Sequence, residues 1–207
     1  MPFSLIFIRN NMMPQQQTEQ AIAAILATFR DRGHEDYIGE PVSQLEHAVQ
    51  SAQLAQRGHP NDIEFILAAF LHDYGHLYGS PDHDGHLDGY GIRRHETVGA
   101  NALRALGFSS KIARLVEGHV QAKRYLVSTD QAYYAGLSEA SKITLEKQGG
   151  RLSEAELTEF EQDPLFDLHI ALRRLDEQAK QMDLPTGDLG WLENMMREHL
   201  SHRLLYF

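Results

Sequence analysis

The chain contains no cysteine. Disulfide stapling, thiolate catalysis and iron–sulfur ligation are therefore excluded, and any metal must be held by nitrogen and oxygen. Positive charge is also short: 19 Lys and Arg stand against 29 Asp and Glu, a net -10. A broad nucleic-acid surface needs the opposite sign, whereas a small anionic substrate needs only a few local cations. No apolar run approaches the ~20 residues of a membrane span. The apolar start from Phe3 to Ile8 is short, has no basic flank before it and runs into Arg9 and Asn10, which makes a poor secretion signal. A cytoplasmic protein with no membrane or nucleic-acid partner is the expectation. Met12 and Met13 offer alternative starts, which sets residues 1–14 apart as an extension. Low-complexity tracts, repeats and linkers are missing as well, so residues 1–207 read as a single domain with a sizeable core.

What is present is helical periodicity, and no convincing strand alternation, so the expected class is all-α. Ile22, Ile25, Leu26 and Phe29 share one face and stop before Gly33. Val42, Leu45, Val49, Ala52 and Leu54 predict a second helix. Asn61 with Glu64 reads as a capping pair for a third, through Ile63, Ile66, Leu67, Phe70 and Leu71. Gly79 to Gly91, rich in Gly, Asp and His, reads as a long ordered loop or lid. Its Asp82, Asp84 and Asp88 read as solvated loop acids, with recognition of a cation as the alternative. Further helices are expected over Arg94–Leu106, from Ser109 or Ser110 through His119, from Ser138 to before Gly149, after the Ser153/Glu156 capping box, after Asp163-Pro164 through Ala179, and from Leu189 to about Leu205.

Twelve histidines make some clustering unsurprising, and a lone helical histidine is usually a core or surface residue. Six positions have a context that argues otherwise. His72-Asp73 ends a strongly apolar helix, where an unpaired carboxylate would be costly and a cation would neutralise it. Asp176 is flanked by Leu172, Leu175 and Ala179, an equally awkward place for a bare charge. His47, His95 and His119 sit on separate helices that can converge on this pair. The set divides into His47, His72, Asp73 and Asp176 for one metal and Asp73, His95 and His119 for another, with Asp73 as the bridge. Two metals ~3.5–4 Å apart can clamp a substrate between them. Iron, manganese, zinc and cobalt all suit these donors. Lys123, four residues after His119, and Arg173, three before Asp176, fall on the ligand faces of their helices. Two cations aimed at metal need an anion between them. His34, His59, His83, His86, His169, His199 and His202 are read as ordinary, the last two on a solvated helix face.

His47, His72-Asp73 and Asp176 resemble the His…His-Asp…Asp signature of the HD domain, a helical bundle with its metal site in the core, and His95 and His119 resemble the additions of its dinuclear members. Those members include phosphohydrolases and mixed-valent diiron oxygenases. More specific strings choose between them. Asp36-Tyr37-Ile38-Gly39-Glu40, Gln44-Leu45-Glu46-His47, Leu71-His72-Asp73-Tyr74-Gly75-His76, Gly89-Tyr90-Gly91 and the run from Glu117 to Val127 resemble the PhnZ-type organophosphonate oxygenases. Gln148-Gly149-Gly150 and Asp176-Glu177-Gln178 extend the likeness over residues 37–181.

The resemblance implies two irons as Fe(II)/Fe(III), dioxygen as co-substrate and a small phosphonate as substrate. The implied reaction cleaves the carbon–phosphorus bond of 2-amino-1-hydroxyethylphosphonate to glycine and phosphate. It also implies that His76, Lys123, Ser141 and Arg173 grip the phosphonate. Tyr37 would be an iron ligand displaced by substrate, and Glu40 the partner of the substrate amine. The trimethylammonium analogue and hydroxymethylphosphonate would use the same core. Metal-dependent phosphoester hydrolysis is the competing activity, and a noncatalytic metal-stabilised module the competing non-enzyme.

Overall fold

Short polar residues open most of the helices, and the turns between them are glycine-rich. The computed structural model describes residues 3–37, 39–85, 87, 89–182 and 184–203, with side chains not described at 3–14, 81 and 203. Among these, twelve helices follow one another: α1 (Phe3–Arg32), α2 (Gln44–Gly58), α3 (Ile63–Leu71), α4 (Tyr74–Tyr78), α5 (Pro81–Asp84), α6 (His95–Ala105), α7 (Ser110–Thr129), α8 (Gln131–Gly136), α9 (Glu139–Lys147), α10 (Glu154–Glu161), α11 (Phe166–Gln178) and α12 (Gly190–Arg203). No strand is formed among the described residues beyond isolated bridges such as that of Asp36 with Ser43. Residues 3–14, set apart in the sequence, form the first turns of α1.

Several starts differ from expectation for identifiable reasons. Ser43, not Val42, begins α2: its hydroxyl accepts from Glu46 N–H while Glu46 reaches back to Ser43 N–H, a capping box that the apolar pattern hid. Asp62 rather than Asn61 caps α3, accepting from Phe65 N–H at 3.0 Å and pairing with Lys111 at 2.7 Å. The stretch 79–91 contains the short α5, where Asp84 accepts from Ser80 N–H; His86 and Asp88 of that stretch lie outside the described residues. The turn of helix α8 was not anticipated. His199 is buried, not solvated, because its ring stacks on Phe108 and accepts from Ser109 N–H at 3.2 Å. His202 is exposed.

The core lies where α3 is surrounded by α2, α7, α11 and α12. Phe65, Ile66, Leu67, Ala68, Ala69 and Leu71 of α3 are fully buried, each large apolar side chain contributing about 1.5–3 kcal/mol. Because every face of α3 is covered, its end delivers His72 and Asp73 into the interior. α4 then packs on α6 through Gly75, where an added Cβ would lie 1.9 Å from the His95 carbonyl oxygen. Only glycine allows this approach, and the approach brings His95 to Asp73.

Candidate metal centre

Five helical segments converge on Asp73. α2 brings His47, the α3–α4 junction brings His72 and Asp73, α6 opens on His95, α7 carries His119 and α11 carries Asp176. All six side chains are at least nine-tenths buried. Asp73 divides its two oxygens between two histidine pairs. Oδ2 lies 3.3 Å from His72 Nε2 and 3.7 Å from His47 Nε2. Oδ1 lies 3.2 Å from His95 Nε2 and 3.4 Å from His119 Nε2. Asp176 stands on the first side only, with Oδ1 3.4 Å from His47 Nε2 and Oδ2 3.8 Å from His72 Nε2.

The tautomers show what this cluster requires. His47 Nδ1 donates to Ala179 O at 2.8 Å and His72 Nδ1 donates to Ala69 O at 2.9 Å. If both rings are neutral, with their protons used there, the two Nε2 atoms face each other as lone pairs at 3.1 Å. Such a contact needs a positive charge, a proton on His72 or a metal ion in its place, between or beside the pair. The carbonyl contacts are the orienting interactions that metal-binding histidines ordinarily have. Asp176 Oδ1 adds a buried acceptor with no hydrogen-bond partner. The donor set thus fits a divalent metal. The other pair, His95 Nε2 and His119 Nε2, is also 3.1 Å apart. There only His119 is anchored, by Val116 O at 2.7 Å; His95 Nδ1 is unpartnered and lies 3.6 Å from Glu96 Oε2.

The charges are coupled. Burial alone would raise the Asp73 carboxyl, but His72, His119 and His95 override it and hold it well below the ordinary range. For Asp176, burial is likewise outweighed, chiefly by Arg173. Burial pushes His72 down, yet the Asp73 carboxylate prevails and lifts it to about 9. Tyr37 is pushed well above the usual phenol value by burial, then by Asp176 and Asp73. Its ring stacks on His47 at 4.0 Å between centroids.

His76 lies close enough to Asp73 and His95 to count as a further nitrogen donor. Its Nδ1, however, accepts from Ile92 N–H at 3.1 Å. In the neutral ring the proton then sits on Nε2, which makes His76 a hydrogen-bond donor rather than a ligand. Burial keeps it neutral by pushing its pKa well below the ordinary value.

A pocket opens on the Asp73, His95 and His119 side, and Tyr37, Glu40, His76, Lys123, Ser141 and Arg173 all line it. Lys123 is 3% exposed and donates to two neutral groups, Thr144 Oγ1 at 2.7 Å and Gln148 Oε1 at 3.0 Å. Burial, then the neighbouring Arg173, holds its pKa well below the usual lysine value. Arg173 is engaged differently: it donates to Tyr133 OH at 2.8 Å and pairs with Asp176 and Glu177. Glu40 sits beyond a turn in which Gly39 takes φ +77° and packs on Ala140. Sequence reasoning missed Thr144, Gln148 and Tyr133. The i, i+4 spacing of Thr144 on α9 and Gln148 at its C-cap was a readable signal; nothing local marked Tyr133.

A histidine–aspartate cluster of this kind, at the heart of an all-helical bundle, defines a class that comparison supports. The HD domain pattern matches residues 38–158, and the chain belongs to the HD-domain family. Within that family it is similar to phosphonate dioxygenases. It is 43% identical over 180 residues to a [1-hydroxy-2-(trimethylamino)ethyl]phosphonate dioxygenase (glycine-betaine-forming) of Leisingera caerulea, covering 85% of this chain and 88% of that one. It is 39% identical over 184 residues to a hydroxymethylphosphonate dioxygenase of Gimesia maris, covering 88% and 90%. An uncharacterized protein, L432, of Acanthamoeba polyphaga mimivirus is 42% identical over 195 residues, covering 94% and 87%. Among the described residues no helix is long and apolar enough to cross a membrane.

Proposed function

We propose that the protein is a dioxygen-dependent organophosphonate oxygenase that cleaves the carbon–phosphorus bond of a 1-hydroxyalkylphosphonate, with two irons as Fe(II)/Fe(III). The observation that carries this reading is Asp73, whose two oxygens face two histidine pairs beside a pocket holding a buried lysine. The kinship with two phosphonate dioxygenases supports the chemistry. His47, His72, Asp73 and Asp176 would hold one iron, and Asp73, His95 and His119 the other. When bound, the iron pair would supply the one-electron chemistry by which dioxygen is turned on a carbon–hydrogen bond.

The residues around the cluster account for binding. Lys123, hydrogen-bonded only to neutral partners, meets a phosphonate oxygen, and the Nε2–H of His76 and the Ser141 hydroxyl donate to the same anion. Arg173 lines the pocket beside them. Glu40 lines the same pocket as Lys123 and offers a carboxylate to an ammonium group, so 2-amino-1-hydroxyethylphosphonate is the substrate we favour, giving glycine and phosphate with one dioxygen consumed. Tyr37, stacked on His47 at the pocket wall, would shield the metal site until substrate enters.

Anaerobic purification, iron counting and electron paramagnetic resonance test the cofactor. Oxygen uptake and phosphate release, measured with the amino, trimethylammonium and hydroxymethyl phosphonates, test the reaction. Two irons, a mixed-valent signal perturbed by the phosphonate, and equal oxygen and phosphate yields are expected. Phosphoester hydrolysis without oxygen uptake would replace this reading with the hydrolytic one.

A further inference from the structure

Glu40 is held from behind. Its Oε1 accepts both from Lys180 Nζ at 2.8 Å and from Ser138 Oγ at 2.6 Å. The Ser138 oxygen already accepts from Ser141 N–H at 3.1 Å, so its own proton is directed to Glu40. Glu40 lines the pocket whereas Lys180 is not among the lining residues. The Glu40 and Lys180 side chains are 9% and 12% exposed, so water screens the pair only partly. Lys180 is itself steadied by Glu177 at 3.2 Å, and Glu177 pairs with Arg173, the partner of Asp176. An alternating row of charges thus runs from the pocket wall along α11 and its C-terminal end to the metal cluster.

We propose that Lys180 is a specificity-determining residue that neutralises Glu40 from outside the pocket. The proposal rests on the phosphonate oxygenase reading above. Both contacts fall on Oε1, which leaves Oε2 to serve a ligand in the pocket that Glu40 lines. It accepts a hydrogen bond, but the carboxylate presents little net charge. A primary ammonium can donate to it. A trimethylammonium group has no proton to donate and depends on net charge, which Lys180 has largely cancelled. A substrate with no amine meets no bare carboxylate close to its dianionic phosphonate. Lys180 therefore disfavours quaternary ammonium substrates relative to primary amines and to hydroxymethylphosphonate.

The test compares wild type, Lys180→Met, Lys180→Arg and the Glu40→Gln/Lys180→Met double variant. Each is measured for kcat and KM by oxygen uptake on the three phosphonates, and for binding of the same compounds by calorimetry. Lys180→Met is expected to raise the trimethylammonium-to-hydroxymethyl ratio of kcat/KM about tenfold, through KM, because a partly buried charge has been uncovered. Lys180→Arg should restore the wild-type ratio, and the double variant should lose the shift. Equal changes on all three substrates, or a shift that survives without the Glu40 charge, would overturn the proposal. Should wild type bind the phosphonates without consuming oxygen, the oxygenase reading fails, and the same ratios taken from binding decide the role of Lys180. If none of the three compounds binds, both readings are overturned.

Discussion

The two halves of the histidine–aspartate cluster share Asp73 and differ in almost everything else. On the first side both histidine rings are pinned by backbone carbonyls, a second carboxylate stands ready, and no residue is more than 1% exposed apart from Asp73 itself. On the second side one ring of two is pinned, no second aspartate among the described residues pairs with its histidines, and the pocket lies open, with Asp176 of the first side also at its wall. The difference teaches a division of labour. A fully braced set of donors favours tight holding of a metal, whereas a set poor in protein ligands leaves positions for substrate or dioxygen.

Asp73 is the test of their connection. Asp73→Ala is expected to lose both metals, because among the described residues no other carboxylate faces both pairs. His119→Ala should empty chiefly the second half. Metal counting after gel filtration decides the matter; two metals retained in Asp73→Ala would end the bridging role.

The two pocket cations should separate in the same way. Lys123 belongs to the open half and bonds only neutral groups, so Lys123→Ala should raise KM for a phosphonate by roughly 10- to 100-fold, the loss of one charge-assisted contact, with both metals kept. Arg173 pairs with Asp176, so Arg173→Ala should also lower occupancy of the first half. Kinetics and metal analysis on the same preparations distinguish them; unchanged metal content in Arg173→Ala would make it a substrate residue alone.

Proton competition should differ between the halves as well. In the metal-free protein His72 titrates at about 9, since the pull of Asp73 overcomes burial. A metal entering the first half must displace that proton, so its affinity should rise about tenfold per pH unit from 7 towards 9 and then level off. His119 is shifted down, mainly by burial, and is already neutral at pH 7, so it adds no such slope to the second half. Chelator competition across this range reads both slopes. The linkage has a stability counterpart. A raised folded-state pKa stabilises the metal-free chain below about 6.5 and loses that contribution as pH rises through 9.

The histidine–aspartate cluster was legible because burial makes a bare His-Asp pair costly, and the spacing along α7 and α11 put Lys123 and Arg173 at the pocket beside it. What lay beyond the sequence was pairing over distance. Arg173 looked free in the chain, and only the fold turns it towards Tyr133, Asp176 and Glu177. Glu40 likewise read as a bare carboxylate until Lys180, 140 residues later, was found beside it. Gly75 was visible as part of a motif, but its reason, contact with the His95 carbonyl, exists only in three dimensions. Helix starts were misplaced by one or two residues where several short polar residues competed for the cap, as at Asn61 and Asp62.

The smallest expected effect probes why the second half is loose. His95 Nδ1 has no hydrogen-bond partner, and Glu96 Oε2 at 3.6 Å is the carboxylate nearest to serving as one. If bracing is what separates the halves, this long contact is a weak version of the carbonyl contacts on the other side. Glu96→Gln keeps the shape and removes the charge, so it should weaken the second metal by about tenfold or less, the low end for an outer partner of a ligating histidine. The first metal should be untouched, since His47 and His72 are held by Ala179 O and Ala69 O. Stepwise metal titration reads the two affinities separately. A loss at the first site, or one at the second as large as that in His119→Ala, would mean that Glu96 acts as a ligand or a folding residue and that bracing does not explain the asymmetry.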